Sequence, residues 1–107
     1  MKIAIIGSTA YAKKMDAHRV LLKKAGHEVL IPFFDDDDPD ILAVCMGNRD
    51  NIKAADRIDI FWDQRSIGTI LDFGMAFALE KPIKLIYVEK KTILEVMQRY
   101  EQEKGGA

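Results

Sequence analysis

Apolar residues along this chain change rhythm several times, and each change marks an element. Lys2 to Ile6 is a short, β-branched run that is apolar on both faces, as in a strand covered by helices on either side. From about Ala12 to Ala25 the period becomes helical. Met15, His18, Leu21, Leu22 and Ala25 share one side, and Lys13, Lys14, Arg19, Lys23 and Lys24 are left for solvent. Gly26 supplies the stop, and His27 to Pro32 predicts a second strand, closed by a residue that cannot donate to a ladder. After Phe33-Phe34 the acidic run Asp35 to Asp38, followed by Pro39, breaks the pattern, and a weaker helical stretch runs from about Asp40 to Ala55. Arg57 to Trp62 alternates, with Ile58, Ile60 and Trp62 set against Asp59, and predicts a third strand. Gly68 to Glu80 predicts an almost wholly apolar helix in which Gly74, Ala76 and Ala78 permit close approach to the sheet, ended by Lys81-Pro82. Ile83 to Val88 is a fourth strand. Thr92 to about Gln102 is an amphipathic terminal helix with Ile93, Val96, Met97 and Tyr100 on one side.

Strands alternating with helices imply crossover connections and a parallel sheet. The expected fold is a doubly wound α/β sheet of the flavodoxin-like or Rossmann-like kind, four strands in the order 2-1-3-4 with helices on both faces. It forms one domain over residues 1–103, followed by a frayed tail at 104–107. In such sheets ligands bind outside the C-terminal strand ends, where the strand order reverses. That crevice lies between strands 1 and 3, so topology alone selects the loops Gly7 to Tyr11 and Asp63 to Thr69.

Composition narrows the functional classes. The chain has 107 residues, enough for one domain, and 49% of them are hydrophobic, enough for a core. Charged residues make up 31% but nearly cancel, to −1, so no overall field draws the molecule onto polymeric nucleic acid or an anionic membrane. The N-terminal apolar stretch ends after Ile6 without a cleavage site, and no run approaches spanning length, which points to the cytoplasm. Lone Cys45 has no internal disulfide partner and reads as a small buried apolar residue.

Asp72 is the only charged residue between Ile67 and Leu79, so its carboxylate needs partners in a confined setting. Thr69-x-x-Asp72 has capping-box spacing, and an acid in the first turn complements the helix dipole. The same amides would keep it ionised, as a nucleophile or a stabiliser of positive charge requires. Ser66, Gly68 and Thr69 at this helix start, with Gly7, Ser8 and Thr9 arriving from strand 1, make two hydroxyl-bearing loops suited to a phosphate. Neither a Gly-x-Gly-x-x-Gly nor a Gly-x-x-x-x-Gly-Lys-Ser/Thr fingerprint is present. Asp35 to Asp38 match no Ca²⁺-loop spacing and read as a solvated acidic loop. His18 and His27 read as packing residues, and neither a metal nor a cofactor is implied.

The pattern Asp50-x-x-x-x-Ala55-Asp56, then Ile58 to Trp62, then Ser66-x-Gly68-Thr-x-x-Asp72-x-Gly74-x-Ala76-x-Ala78-Leu79-x-Lys81-Pro82, resembles the nucleoside 2-deoxyribosyltransferase superfamily, which includes the 2'-deoxynucleoside 5'-phosphate N-hydrolases. Opening Ile-Ile-Gly-Ser and the turn Gly26-His27 into strand 2 agree with it. The resemblance implies that Asp72 occupies the position of the nucleophile, usually a glutamate, that attacks the anomeric carbon. It implies a 5'-phosphate contact for Ser66 and a second acid, orienting or protonating the base, at Asp50. The resemblance also implies a homodimer in which a second subunit completes the pocket. Tyr11, at the rim of the first loop, reads either as a plain surface tyrosine or as a residue that stacks on the base or lines the sugar. The substrate class implied is a small nucleoside or its 2'-deoxy 5'-monophosphate, cleaved or transferred at the N-glycosidic bond. Two other readings stand beside this one: a catalytically silent nucleotide-binding or interaction domain of the same fold, and a flavin-binding protein, suggested by the hydroxyl-rich loop from Gly7 to Tyr11.

Overall fold

In the computed structural model, residues 1–34, 39–90 and 93–105 are described. The expected acidic loop at Asp35 to Asp38 and the expected start of the last helix at Thr92 lie outside them. Four strands, β1 (Lys2–Ile6), β2 (Glu28–Leu30), β3 (Arg57–Asp63) and β4 (Ile83–Glu89), alternate with four helices. These are α1 (Ala12–Lys24), α2 (Ile41–Ala54), α3 (Ile67–Ala78) and α4 (Ile93–Lys104). The sheet is parallel throughout, in the order β2-β1-β3-β4, the expected doubly wound architecture. Lys104 closes α4 and does not open a tail.

Both faces of the central strands are covered, which explains their unbroken apolar character. Ala4 and Ile6 of β1 and Ile58 and Ile60 of β3 pack on one face beneath Ile52 and Ala55 from α2 and its C-cap, and Ala76 from α3. On the other face Ile3, Ile5 and Phe61 pack against Tyr11, Met15 and Leu22. Met15 and Leu22 are the α1 residues buried in that core; Leu21 and Ala25, expected beside them, face solvent. On α3 the close approach is made by Ala76 alone. Gly74 and Ala78, two positions either side of it, turn to the exposed flank.

The alternation in β3 does not separate core from solvent. Ile5 pairs with Asp59, and the row Arg57, Asp59, Phe61 lies under α1, where Asp59 is 0% exposed. A buried carboxylate survives only if paired and hydrogen-bonded. Arg57, two residues away on the same strand face, donates from Nε to Oδ1 at 2.7 Å and from Nη2 to Oδ2 at 3.0 Å. Nε2 of His18 stands 2.7 Å from Oδ2, and the His18 ring meets Phe61 edge-on. His18 therefore packs as expected but also joins the Arg57–Asp59 ion pair through a hydrogen-bond contact. His27 instead places Nδ1 3.1 Å from the terminal amine of Met1.

β2 is shorter than its pattern suggests. Pairing with β1 stops at Leu30, and beyond it the backbone is held by side chains of α2. Asn51 donates to the carbonyl of Ile31 at 3.0 Å. The Phe33 amide donates to Asn48 Oδ1 at 2.8 Å, while Asn48 Nδ2 donates to the Phe33 carbonyl at 3.1 Å. These bonds replace ladder bonds that Pro32 interrupts. α4 buries none of its residues: Ile93, Val96, Met97 and Tyr100 form an exposed apolar stripe.

Asp59→Ala should lower the unfolding free energy by about 3–5 kcal/mol, because Arg57 and His18 are left beside a hole. Urea unfolding at neutral pH measures it. A loss under about 1 kcal/mol would mean that the carboxylate is solvated instead.

Candidate active site

The crevice appears where the topology puts it, outside the C-terminal ends of β1 and β3. It encloses about 420 Å³ and draws on three segments: Gly7 to Thr9 after β1, Ser66 to Asp72 around the start of α3, and a wall from Phe33, Phe34 and the first turns of α2. Gly7, Ser8, Thr9, Ser66, Gly68, Thr69 and Asp72 all line it, so seven of the expected residues share one space. Gly7 permits this approach. A Cβ there would stand 2.7 Å from Met15 Sδ and 3.0 Å from Phe61 Cβ, so a larger residue would push Met15 and Phe61 aside where the loop leaves β1.

The start of α3 differs in detail from its expected form. Ser66 is the N-cap, and its Oγ accepts from the Thr69 amide at 3.2 Å and from Thr69 Oγ1 at 2.9 Å. The cap therefore spans Ser66 to Thr69, not Thr69 to Asp72. Asp72 sits one turn further in, with no acid in the first turn. Buried Thr69 has its hydroxyl engaged by Ser66, while the Ser66 hydroxyl keeps its own proton to donate. The Ile67 and Gly68 amides precede the first i→i−4 bond, which runs from Ile70 to the Ser66 carbonyl at 3.1 Å. Nothing lies within 4 Å of where a Gly68 Cβ would be, so that position opens onto the crevice. One hydroxyl and two helix-terminal amides thus converge on a seat suited to an anion. Asp72, 6% exposed, lies on the wall one turn deeper.

Two expected site residues are elsewhere. Asp50 has a side chain 66% exposed, paired with Arg49 at 3.2 Å, and borders a separate shallow hollow with Lys53, Met75, Ala78 and Leu79. The helix explains this. The crevice takes Ile41, Val44, Cys45 and Asn48 from α2, and Asp50 follows Ile41 by nine positions, about 180° around the axis. Tyr11 turns away from the crevice into the core under α1, and its hydroxyl donates to Asp63 Oδ2 at 3.0 Å. Cys45, expected to be buried, is half-buried on the crevice wall.

Residues not singled out in the sequence shape the opposite wall. Asn48 is engaged by the Phe33 backbone on both sides and so fixes the Phe33 ring. Gly47 makes room for that ring: a Cβ there would stand 2.7 Å from it. The i, i+3, i+4, i+7 spacing of Ile41, Val44, Cys45 and Asn48 is the signal that identifies this wall. Asp63 is the other unexpected centre. Arg65 donates to its carboxylate from Nε at 3.1 Å, Nη2 at 3.0 Å and the backbone amide at 2.9 Å. These Arg65 bonds, with that from Tyr11, hold the Asp63 carboxyl well below the usual carboxylate range against the opposing effect of burial. Burial first, then the bond to Asp63, pushes the Tyr11 hydroxyl up. Among the described residues no cluster of three His, Cys, Asp or Glu is placed to hold a metal, and no helix is long and apolar enough to cross a membrane.

No protein-family model matches the chain, and no curated protein matches it either. Among solved structures, the fold is similar to that of the Clostridium botulinum CMP N-glycosidase BcmB. The TM-score is 0.63 and the identity 22%, over 95% of this chain and 81% of that one. At that identity the likeness is one of fold.

Because the Asp63 carboxyl is depressed in the folded state, its contribution to stability is present above about pH 3.8 and is lost as pH falls towards the folded value. Asp63→Asn removes that contribution. The stability gap between parent and variant should therefore be flat from pH 7 to about 5 and narrow below about pH 4, as read by thermal unfolding across pH.

Proposed function

We propose that this protein cleaves the N-glycosidic bond of a nucleoside 5'-monophosphate, with Asp72 as nucleophile and the start of α3 as the phosphate seat. The observation that carries the reading is the convergence in one crevice of Asp72 with the Ser66 hydroxyl and the Ile67 and Gly68 amides. A helix start stabilises a dianionic phosphate, and the carboxylate lies more than one helical turn, about 5 Å, further along the axis. The Phe33 ring on the opposite wall offers an apolar surface to the base. The fold shared with a CMP N-glycosidase and the resemblance in the Ser66 to Asp72 segment both support this chemistry.

The step is a displacement at the anomeric carbon. An Asp72 oxygen forms a bond to C1' as the C1'–N bond breaks, and the electron pair leaves with the base, which takes up a proton from water. Water then attacks C1', the ester opens to restore the Asp72 carboxylate, and free 5-phosphosugar departs. Attack by a second base in place of water gives transfer. The shorter reach of aspartate, compared with glutamate, is met by holding the sugar closer to α3. Asp50 has no role in this chain's crevice, because it faces the other side of α2. A homodimer belongs to the proposal: Ile67 and Phe77 of α3 are among its most exposed side chains, and covering them against a second subunit removes apolar surface from water.

Incubation with CMP and the deoxynucleoside monophosphates, followed by chromatography, should release free base from at least one of them. Asp72→Ala should reduce release to background; release that survives this change removes Asp72 from the mechanism. If no substrate is cleaved while a nucleotide raises the melting temperature, the protein is a binding module. Ser66→Asp separates the two roles of that residue. Aspartate caps a helix as well as serine does, so folding should be retained. Affinity for a monophosphate should fall about tenfold or more from like-charge repulsion, while affinity for the nucleoside holds.

A further inference from the structure

The two loops that form the phosphate seat come from different strands and lie beyond the last paired residues of the β1–β3 ladder, Ile6 and Ile60. Gly7, Ser8 and Thr9 leave β1, and Ser66 and Gly68 follow β3. A seat built from two loops holds its ligand only if the loops keep their spacing, since binding that must first order its own groups is weaker. Behind the crevice, on the α1 side, a set of polar side chains bridges them. Tyr11 ends the short 3₁₀ turn Thr9–Tyr11 that follows Ser8, and its hydroxyl donates to Asp63, the last residue of β3. Asp63 also governs the turn into α3. It accepts from the Arg65 amide and guanidinium through its carboxylate, and from the Ser66 amide through its carbonyl at 3.0 Å. Each carboxylate oxygen takes two bonds: Oδ1 from the Arg65 amide and Nε, Oδ2 from Arg65 Nη2 and Tyr11.

We propose that Tyr11, Asp63 and Arg65 are positioning residues, a latch that sets the distance between the two loops and so the affinity of the seat for a 5'-phosphate. This rests on the reading of the crevice as a nucleotide site. None of the three is among the residues that line the crevice; they act through Ser8 and Ser66. The latch is buttressed from behind. The Tyr11 ring lies 5.3 Å from that of Tyr87, Tyr87 donates to Glu89, and Lys14 Nζ lies 4.2 Å from the centre of the Tyr87 ring. Asp63 and Tyr11 are both buried, with their polar atoms engaged by each other and by Arg65, so neither is available as an acid or base for the substrate. This separates the latch from Asp72, which lines the crevice itself.

Tyr11→Phe tests the latch, because it keeps the ring and its packing and removes only the hydroxyl that joins the loops. Isothermal titration with inorganic phosphate, CMP, dCMP and the matching nucleosides should show a loss of about tenfold in affinity for phosphate and monophosphates, the scale of one hydrogen bond to a charged group. Nucleoside affinity should change by less than about twofold. Amide exchange should quicken together in residues 7–11 and 63–68, where a defect confined to the core would quicken α1 instead. Should Tyr11→Phe fail to fold, Asp63→Asn leaves one neutral acceptor oxygen where the carboxylate has two, and so weakens the bonds from Tyr11 and from Arg65 together. It should give the same selective loss for phosphate-bearing ligands. Equal losses for nucleoside and monophosphate, or unchanged affinity and exchange in a folded variant, overturn the latch alone. A parent protein that binds neither phosphate nor any monophosphate overturns the site reading and the latch with it.

Discussion

Parallel pairing of β1 with β3, with helices laid on both faces of the pair, is the constraint from which the rest of the molecule follows. After β1 the chain turns to the α1 face, and after β3 it turns to the face that carries α2 and α3, so the two exits diverge and leave a gap that no strand fills. The same covering denies the middle of the sheet any contact with water. A polar side chain on β3 must then find partners inside the protein or destabilise it. Asp59 and Asp63 satisfy that demand in the same way, each with an arginine two residues along the chain and a ring-bearing partner from the α1 side, His18 for one and Tyr11 for the other.

This sorts the polar residues near the crevice into two groups. Asn48, Thr69, Tyr11 and Asp63 are buried, with hydrogen bonds that hold loops and helix ends in place. Ser8, the Ser66 hydroxyl proton and the Ile67 and Gly68 amides face the crevice, and Asp72, buried in its wall, lines it with them. The first group makes the second rigid, which is what a site for a charged ligand needs in order to bind without first reorganising. The apolar wall from Phe33 and α2 completes a cleft with an anionic end and a base end.

Much of the fold was legible in the sequence, because the rhythm of apolar residues reports which face each position takes, and alternating rhythms leave few topologies. The order of the strands, the place of the crevice and the residues at Gly7 to Thr9 and Ser66 to Thr69 all follow from that local code. So does the singularity of Asp72, the one charge on an apolar helix. What the sequence could not convey was the orientation of isolated polar groups. Asp59 reads as a solvent-facing residue on an alternating strand until α1 is laid over it. Tyr11 and Asp50 lie near the right segments, but one turns inward to reach Asp63 and the other faces the far side of α2. The partners that decide such orientations lie far along the chain, 52 positions away for Tyr11 and Asp63 and 41 for His18 and Asp59. Periodicity describes a residue's relation to its own element; hydrogen bonds between elements exist only after the elements have packed, and only the tertiary structure decides them.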